Sequence, residues 1–330
     1  MLYNFSFNTA SHSGVLLFLR SGLVRIAAVF SAFICLVSLP VLAEQSNIGI
    51  VSGGVNGTYV RIAQNMSDAL DSDELRIITM LGKGSRQNIQ DLIELDGTDL
   101  AIVQSDVLRE VIRSNLVPGA TGSIRYITKL YNEEVHILTK SSVNSLKFLE
   151  GAAVGVGRKG SGTEMTASIL FEGLGIEINP INVSGQEAIE ALNDGLISAA
   201  VFVVGKPSNL LRNLNIGDDY KLLDITLSKN IDYPYFETAF NSADYPNLIQ
   251  KGDRVSTVAV GAILAAFNWR EGSRRYKLLD KFTGHLFDSI DIFRTGPYHS
   301  KWKNIDVSVK VPGWKRFKPA ELWLQHNIGQ

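Results

Sequence analysis

Short apolar runs alternate with amphipathic stretches along much of the chain. Runs at 47–52, 75–81 and 99–103 each end in glycines or polar residues, after which apolar positions recur at helical spacing. This pattern predicts buried strands, each followed by a turn and a helix. Strands that alternate with helices predict an α/β fold with crossover connections.

The middle of the chain departs from that rhythm. Residues 125–130 and 135–139 read as two strands joined through the polar residues 131–134. Alternation of strands and helices resumes at 152–156 and again at 199–204.

The changes of pattern near Thr139 and Leu227 predict two lobes. The first lobe is discontinuous and comprises residues 44–138 and 228–330, and the second comprises residues 139–227. The length from residue 44 onward exceeds one typical domain and suits this division.

The amino terminus carries a different signature. Residues 1–43 contain no Asp or Glu, and residues 26–43 are 18 uncharged positions in succession. We interpret residues 1–43 as a signal peptide cleaved after Ala43, which places the mature chain in the periplasm. An uncleaved anchor stays open as the alternative, because about 18 apolar residues is the lower limit for spanning a bilayer. The translation start, at Met1 or near Val24, is also open.

Composition and charge narrow the classes of function. The chain is 45% apolar and 20% charged, which excludes a disordered or fibrous protein. Its 32 Lys and Arg against 33 Asp and Glu leave a formal charge of −1, so we expect no nucleic-acid partner. The only cysteine, Cys35, lies in the export segment. The mature chain therefore has no disulfide, thiolate nucleophile or Cys-bound zinc.

Sequence signatures of catalysis are missing as well. The chain contains no G-x-S-x-G, H-E-x-x-H or P-loop motif. His136 lies in an apolar strand-like run, which predicts a hydrogen-bonded residue of the core or of the edge of a site rather than a base. Glu133 and Glu134 could pair, but adjacent residues of an extended chain point to opposite faces, so we expect one of them to point inward. We expect no enzyme and no metal site.

One glycine pattern supports a different function. Gly155-x-Gly157-x-x-Gly160 matches the dinucleotide fingerprint, and an oxidoreductase is the hypothesis that it favours. Gly155 falls inside the predicted strand, and an exported protein meets little nicotinamide cofactor, so we expect no cofactor.

Three turns share one chemical plan. Thr58, Ser85 and the Ser161-Gly162-Thr163 turn each open a predicted helix after glycines at a strand end. Helix starts expose unpaired N–H groups and a positive dipole end, which suits an anion. Singly, each serine is an ordinary N-cap, and Ser161 has Glu164 at capping-box spacing. Together, at the carboxyl ends of strands, the turns predict a ligand site.

Seven motifs in register resemble the TAXI family of solute-binding proteins, the receptors of TRAP transporters. They extend over residues 48–260, and none is specific alone. The motifs are Gly53-Gly54-Val55-Asn56-Gly57-Thr58-Tyr59, Gly84-Ser85-x-x-Asn88, Gln104-Ser105-Asp106, Leu130-Tyr131-x-Glu133-x-Val135-His136, Gly160-Ser161-Gly162-Thr163-Glu164, Asp194-Gly195-x-Ile197 and Tyr233-Pro234-Tyr235.

This resemblance implies a periplasmic-binding-protein-like fold of type II, in which two α/β lobes joined by a hinge close over a ligand in the cleft between them. It implies capture of a small organic anion, glutamate-like or a dicarboxylate, and delivery to a TRAP-type integral membrane permease. We expect a monomer. Carried over position by position, the ligand-binding residues are Gly54, Thr58, Tyr59, Ser85, Gln104, Ser105, Tyr131, Ser161, Gly162, Thr163 and Phe202.

The chain also departs from the family pattern. Asn132 stands where the family usually has proline, and Lys206 stands where an apolar or aromatic residue is common. If Lys206 faces the cleft, it strengthens the preference for an anion. The alternative function is an exported ligand-sensing or interaction protein of the same fold that acts with a sensor instead of a permease.

Overall fold

A mixed sheet of ten strands runs through the computed structural model, which describes residues 46–55, 57–214, 219–227 and 235–328. The strands are β1 (Ser46–Val51), β2 (Leu75–Met80), β3 (Leu100–Gln104), β4 (Ile124–Lys140), β5 (Ala153–Gly155), β6 (Asn179–Ile181), β7 (Ala199–Val204), β8 (Tyr220–Leu222), β9 (Phe236–Asn241) and β10 (Arg254–Phe267).

The helices of the described residues flank this sheet. They are α1 (Thr58–Leu70), α2 (Ser85–Glu94), α3 (Ser105–Arg113), α4 (Ala120–Ser123), α5 (Gly162–Leu174), α6 (Gln186–Asn193), α7 (Asn209–Arg212), α8 (Arg274–Asp288), α9 (Ile290–Thr295) and α10 (Lys318–Asn327), with 3-10 turns at Leu146–Leu149 and Ser300–Asn304. None of these helices is long and apolar enough to cross a membrane.

The described residues belong to one compact unit, which contains the sheet. The predicted signal peptide, Cys35 and the cleavage after Ala43 lie outside the described residues. Asn56 and the Tyr233-Pro234 part of the last motif also lie outside them.

The sheet repeats one strand order in its two halves. Its order is β2-β1-β3-β10-β4-β7-β5-β6, with β8 added on β4 and β9 on β10. β1 pairs in parallel with β2 and β3, and β5 pairs in parallel with β6 and β7. Each trio then meets a long antiparallel strand, β10 beside β3 and β4 beside β7. Two halves of this kind confirm the predicted α/β class and its two-lobed, type II form.

The expectation of two strands joined at 131–134 is wrong, because β4 is continuous over 17 residues. Its first part pairs with β10, and its last part, from Glu134 to Thr139, pairs with β7. The strand thus passes from one half of the sheet into the other. Polar residues within an apolar run are typical of a turn, and this pattern led to the wrong prediction. Both carboxylates are in fact buried inside the strand, and the hydrophobic pattern does not reveal this.

Helices cover both faces of the parallel strands, as such strands require. All five residues of β3 are buried. The end of the chain packs against the first half through aromatic residues. Trp302 is buried and stacks on Phe293 with 4.1 Å between ring centroids, and Phe317 is buried in the same core. These contacts hold the Ser300–Asn304 turn beside β4, where it contributes Lys301.

Candidate functional site

A cavity of about 170 Å³ lies where strand ends of the two halves meet. The chain reaches it from the first half through the segments after β1, β2 and β3, and from the second half through the turn after β5 and the end of β7. The lining residues are Gly53, Gly54, Gly57, Thr58, Tyr59, Gly84, Ser85, Gln104, Glu133, Ser161, Gly162, Thr163, Val203 and Val204.

Three helices begin at this cavity. α1 begins at Thr58 after Gly57, α2 at Ser85 after Gly84, and α5 at Gly162 after Ser161. The first N–H groups of a helix have no partner within it, and the dipole makes this end positive. None of the lining residues is Lys or Arg. An anion held here would rely on backbone N–H groups and hydroxyls instead of a cationic side chain.

The N-cap at Ser161 is formed as the sequence predicts, with one difference. Its hydroxyl accepts a hydrogen bond from the Glu164 N–H at 3.1 Å. Glu164 reaches back to the N–H of Gly160, at 2.6 Å, instead of the N–H of Ser161. In a capping box Glu164 would accept from the N–H of Ser161. That N–H instead donates to the Arg158 carbonyl.

The two halves touch at glycines beside the cavity. A Cβ atom on Gly84, whose φ is 120°, would lie 3.0 Å from Cα of Ser161. A Cβ atom on Gly162 would collide with Oε1 of Gln104. The N–H of Gln87 donates to the Gly160 carbonyl at 3.2 Å. Glycine is therefore required at 84 and 162 for the turns to approach this closely.

Glu133 contributes the only carboxyl group among the lining residues. Its Oε2 accepts a 2.7 Å hydrogen bond from the Tyr59 hydroxyl, and both side chains are buried. Burial, helped by the charge of Glu134, raises the pKa of Glu133 to about 8, while hydrogen bonds from Tyr59 and Gln104 and the charge of Lys301 oppose the rise. Burial and the nearby Glu133 raise the pKa of Tyr59.

Glu134 faces away from the cavity, so the prediction that one of the two carboxylates points inward is confirmed. Its Oε2 accepts the Lys206 N–H at 2.7 Å and lies 4.0 Å from Nζ of Lys301. Burial raises the pKa of Glu134, and these two lysines oppose the rise. Glu134 belongs to a charged cluster behind β4.

Lys206 is part of that cluster and does not line the cavity. Its Nζ donates to the Ala239 carbonyl and lies 3.5 Å from Oδ2 of Asp244. The suggestion that Lys206 attracts an anion into the cleft is therefore wrong. The partners of its ammonium group lie on β9 and in the turn after β9. The sequence around Lys206 does not reveal these contacts, because both segments are distant along the chain.

Eight of the eleven predicted site residues line the cavity, namely Gly54, Thr58, Tyr59, Ser85, Gln104, Ser161, Gly162 and Thr163. The other three lie outside it. Ser105 starts α3 and its Oγ accepts the Gly261 N–H at 3.3 Å. Tyr131 is buried in the core, and its hydroxyl has no hydrogen-bond partner. Phe202 packs into the core two residues before the end of β7, whereas the cavity is lined by the last two residues of that strand, Val203 and Val204.

Six lining residues were not in the predicted set. Gly53, Gly57 and Gly84 belong to the motifs themselves, and their proximity follows once the serines and threonines are placed. Val203 and Val204 give no signal beyond lying at a strand end. Glu133 did give a signal in the sequence, because a carboxylate inside an apolar stretch is buried only when it has a partner or a function.

His136 behaves as the sequence predicts. Its ring is buried, stacks on Phe240 with centroids 4.3 Å apart, and accepts at Nε2 from the Tyr245 hydroxyl at 2.7 Å. Nδ1 lies 2.9 Å from the Glu134 carbonyl, which assigns the proton to Nδ1. Burial lowers the pKa of His136 to about 3, so the ring is a neutral core group rather than a base.

The glycines of the dinucleotide pattern have structural roles. Gly155 ends β5, where a Cβ atom would lie 3.0 Å from Cδ1 of Ile197. Gly157 and Gly160 adopt φ of 84° and 81° in the turn before α5. Gly84 packs against Ser161 at the start of that helix, where a Cβ atom on Gly84 would lie 3.0 Å from Cα of Ser161. We find no group of metal ligands within the described residues.

Two α/β halves with helix starts directed into a cleft define the class of the type II solute-binding fold. A model of the NMT1-like family matches residues 50–280, and the chain belongs to that family.

Several solved structures are similar to the chain. A TctC solute binding protein from Polaromonas has 16% identity and a TM-score of 0.41, with 78% of this chain and 91% of that chain covered. The putative periplasmic sulfonate-binding protein SsuA from Methylobacillus flagellatus KT has 12% identity and a TM-score of 0.47, with 86% and 87% covered. The alkanesulfonate-binding protein SsuA from Xanthomonas axonopodis pv. citri, bound to MOPS, has 14% identity and a TM-score of 0.42, with 86% and 83% covered. At these identities the likeness concerns the fold alone.

Proposed function

We propose that the protein is a periplasmic solute receptor that captures a small organic anion by closure of its two lobes. The observation that supports this best is the cavity onto which the starts of α1, α2 and α5 converge without a cationic side chain. Such a site holds a carboxylate through backbone N–H groups and the hydroxyls of Ser85, Ser161 and Thr163. The lobes are residues 44–138 with 228–330, and residues 139–227.

Closure follows from the position of the site. Ligand atoms that contact both Ser85 and Ser161 bind only while the first and second lobes are together. The ligand therefore favours the closed form by its differential affinity for that form. We further propose that the chain belongs to the TAXI group, on its seven motifs, and delivers the ligand to a TRAP-type permease after export and cleavage at Ala43.

The first test measures the melting temperature of the purified protein with glutamate, glutamine, 2-oxoglutarate, C4-dicarboxylates, sugars and a nicotinamide cofactor. A ligand at about 100 times its dissociation constant adds roughly 2.7 kcal/mol of stability. We expect a rise with carboxylates alone. A flat response from ligand-free protein would contradict the receptor function and favour the ligand-sensing or interaction protein.

The second test removes the hydroxyls. We expect Ser161→Ala with Thr163→Val to weaken carboxylate binding at least tenfold. The matched control is Ser273→Ala, because Ser273 caps α8 through the Tyr276 N–H at 3.2 Å, far along the chain from the cavity. Both serine substitutions remove an N-cap that contributes about 1 kcal/mol to stability. The two variants should therefore differ in their affinity for the carboxylate and not in their stability. Unchanged affinity would place the site elsewhere.

The permease is tested by uptake. Vesicles that contain a TRAP-type permease from the same genome should take up the bound carboxylate only when this protein is present. Uptake that does not depend on the protein would contradict delivery. A gene for a sensor kinase next to this one would favour the alternative partner.

A further inference from the structure

The cavity has two chemically different ends. Helix N-termini supply N–H donors and positive dipole ends, whereas Glu133 supplies a carboxyl group that reaches the cavity from β4. A buried carboxylate in the lining would weaken the binding of an anion, since the two negative charges repel strongly where water is excluded. The presence of Glu133 in the lining therefore indicates something about the ligand beyond its carboxylate.

The groups around Glu133 leave its charge uncompensated. Tyr59 on α1 donates to it, Gln104 at the end of β3 lies beside it, and the buried hydroxyl of Tyr131 on its own strand lies near it. The charged groups near it are Glu134 on its own strand and Lys301 on the Ser300–Asn304 turn. Lys301 lies 4.0 Å from Glu134 and 5.8 Å from the ring centre of Tyr131, and it makes no ion pair with Glu133. Among the described residues, no cation bonds to Glu133.

An uncompensated buried carboxyl stays protonated. Because burial raises its pKa to about 8, Glu133 is mostly neutral at pH 7. A ligand ammonium group would change this balance, because an opposite charge in contact favours the ionised form. The carboxyl O–H would then lose its proton to solvent, and the carboxylate would pair with the ammonium through a charge-assisted hydrogen bond.

We propose that Glu133 binds a protonated amino group, so that the ligand is a zwitterion of the amino-acid type whose carboxylate lies at the helix starts. This inference rests on the proposed receptor function and narrows its ligand class. Each buried charge then has a partner, as buried charges require. Binding at neutral pH releases close to one proton per ligand, from the Glu133 carboxyl group to the buffer.

The opposite arrangement makes a different prediction. A neutral Glu133 could donate its O–H to the second carboxylate of a dicarboxylate, and binding would then release no proton. Three pairs of probes separate the two arrangements, because each pair differs in an ammonium against a carbonyl oxygen. They are L-glutamate with 2-oxoglutarate, L-leucine with 4-methyl-2-oxopentanoate, and L-alanine with pyruvate.

The experiment is calorimetric titration of the full protein at pH 7 in phosphate and in Tris, whose ionisation enthalpies differ. We expect the amino acid of at least one pair to bind roughly ten- to a hundredfold tighter than its oxo acid. We also expect proton release on binding at pH 7, and the release should fall as the pH rises past the pKa of Glu133, about 8. Glu133→Gln should remove both the preference and the proton release, while the oxo acid still binds.

Glu134→Gln is the matched control, since it makes the same change on the face of β4 away from the cavity. A thermal melt checks that both variants fold, and Tyr59→Phe provides a second measurement. Loss of the Tyr59 hydrogen bond raises the pKa of Glu133 further, so proton release should extend to higher pH. Oxo acids that bind as tightly as amino acids, without proton release, would overturn this inference and leave the receptor function standing. Failure of every carboxylate to bind would instead overturn the receptor function.

Discussion

The Thr166 hydroxyl donates a 2.7 Å hydrogen bond to Oδ2 of Asp106, and the bond joins α5 of the second half to α3 of the first. Asp106 is fully buried, and it also accepts the Tyr235 hydroxyl at 3.1 Å and the Val107 N–H at 2.8 Å. Burial raises the pKa of Asp106 to about 6, although these three donors oppose the rise. The carboxylate therefore depends on both halves of the molecule for its stabilisation.

We expect Thr166→Val to lower the free energy of unfolding by about 1–3 kcal/mol, because it leaves a buried charged acceptor short of a donor without changing the size of the side chain. Urea denaturation measures the loss. Thr283→Val is the control, since the buried Thr283 hydroxyl only donates to Leu279 within α8. Equal losses in the two variants would show that the hydrogen bond between Thr166 and Asp106 stabilises the fold no more than a hydrogen bond within one helix does.

Glu133 predicts how stability depends on pH. Its pKa is about 8 in the folded protein against 4.5 ordinarily, so the folded state holds the proton more tightly. The free energy of unfolding should therefore fall as pH rises through this range, by at most about 1.4 kcal/mol per unit for one proton. Below pH 6.5 other groups act as well, because the lowered pKa of His136 makes stability rise with pH between about 3 and 6.5 and the raised pKa of Asp106 makes it fall up to about pH 6.

The informative window for Glu133 is consequently pH 6.5 to 8. Urea denaturation at intervals across it should show declining stability in the wild type and a flatter profile in Glu133→Gln. Glu172→Gln is the control, because Glu172 is exposed on α5. A wild-type profile that rises across the window would contradict the burial effect.

The sequence predicts β1, β2, β3, β5 and β7, the helix starts and most of the cavity, because each depends on local patterns of apolar residues, glycines and hydroxyls. It does not predict the continuity of β4, since Glu133 and Glu134 resemble a turn until the cavity and Lys301 are placed on opposite sides of them. Phe202 illustrates the same limit. The motif places Phe202 on β7, but only the last two residues of that strand, Val203 and Val204, reach the cavity.

His136 and Tyr245 form a buried polar pair that predicts a large effect of a small change. The Tyr245 hydroxyl donates to His136 and accepts the Ser208 N–H at 2.9 Å. Tyr245→Phe leaves both groups buried without that partner, and we expect a loss of about 2 kcal/mol or more in the free energy of unfolding. Tyr220→Phe is the control, because the Tyr220 hydroxyl donates to the exposed Asn193. Similar losses in the two variants would contradict this account.

The close approach at Gly162 predicts that adding one methyl group at this position pushes the two halves of the sheet apart. A Cβ atom there would collide with Oε1 of Gln104 and lie 2.8 Å from Oγ of Ser85, both on the first half. We expect Gly162→Ala to lower the melting temperature and to weaken carboxylate binding at least tenfold, because the site needs both halves in contact. Gly284→Ala is the matched control, since Gly284 lies inside α8 with nothing near its added methyl group, and helix propensity predicts a gain of roughly 0.5–1 kcal/mol. Thermal melts and titrations on the two variants decide the matter. Full affinity in Gly162→Ala would show that the ligand binds without the contact between Gly162 and Gln104.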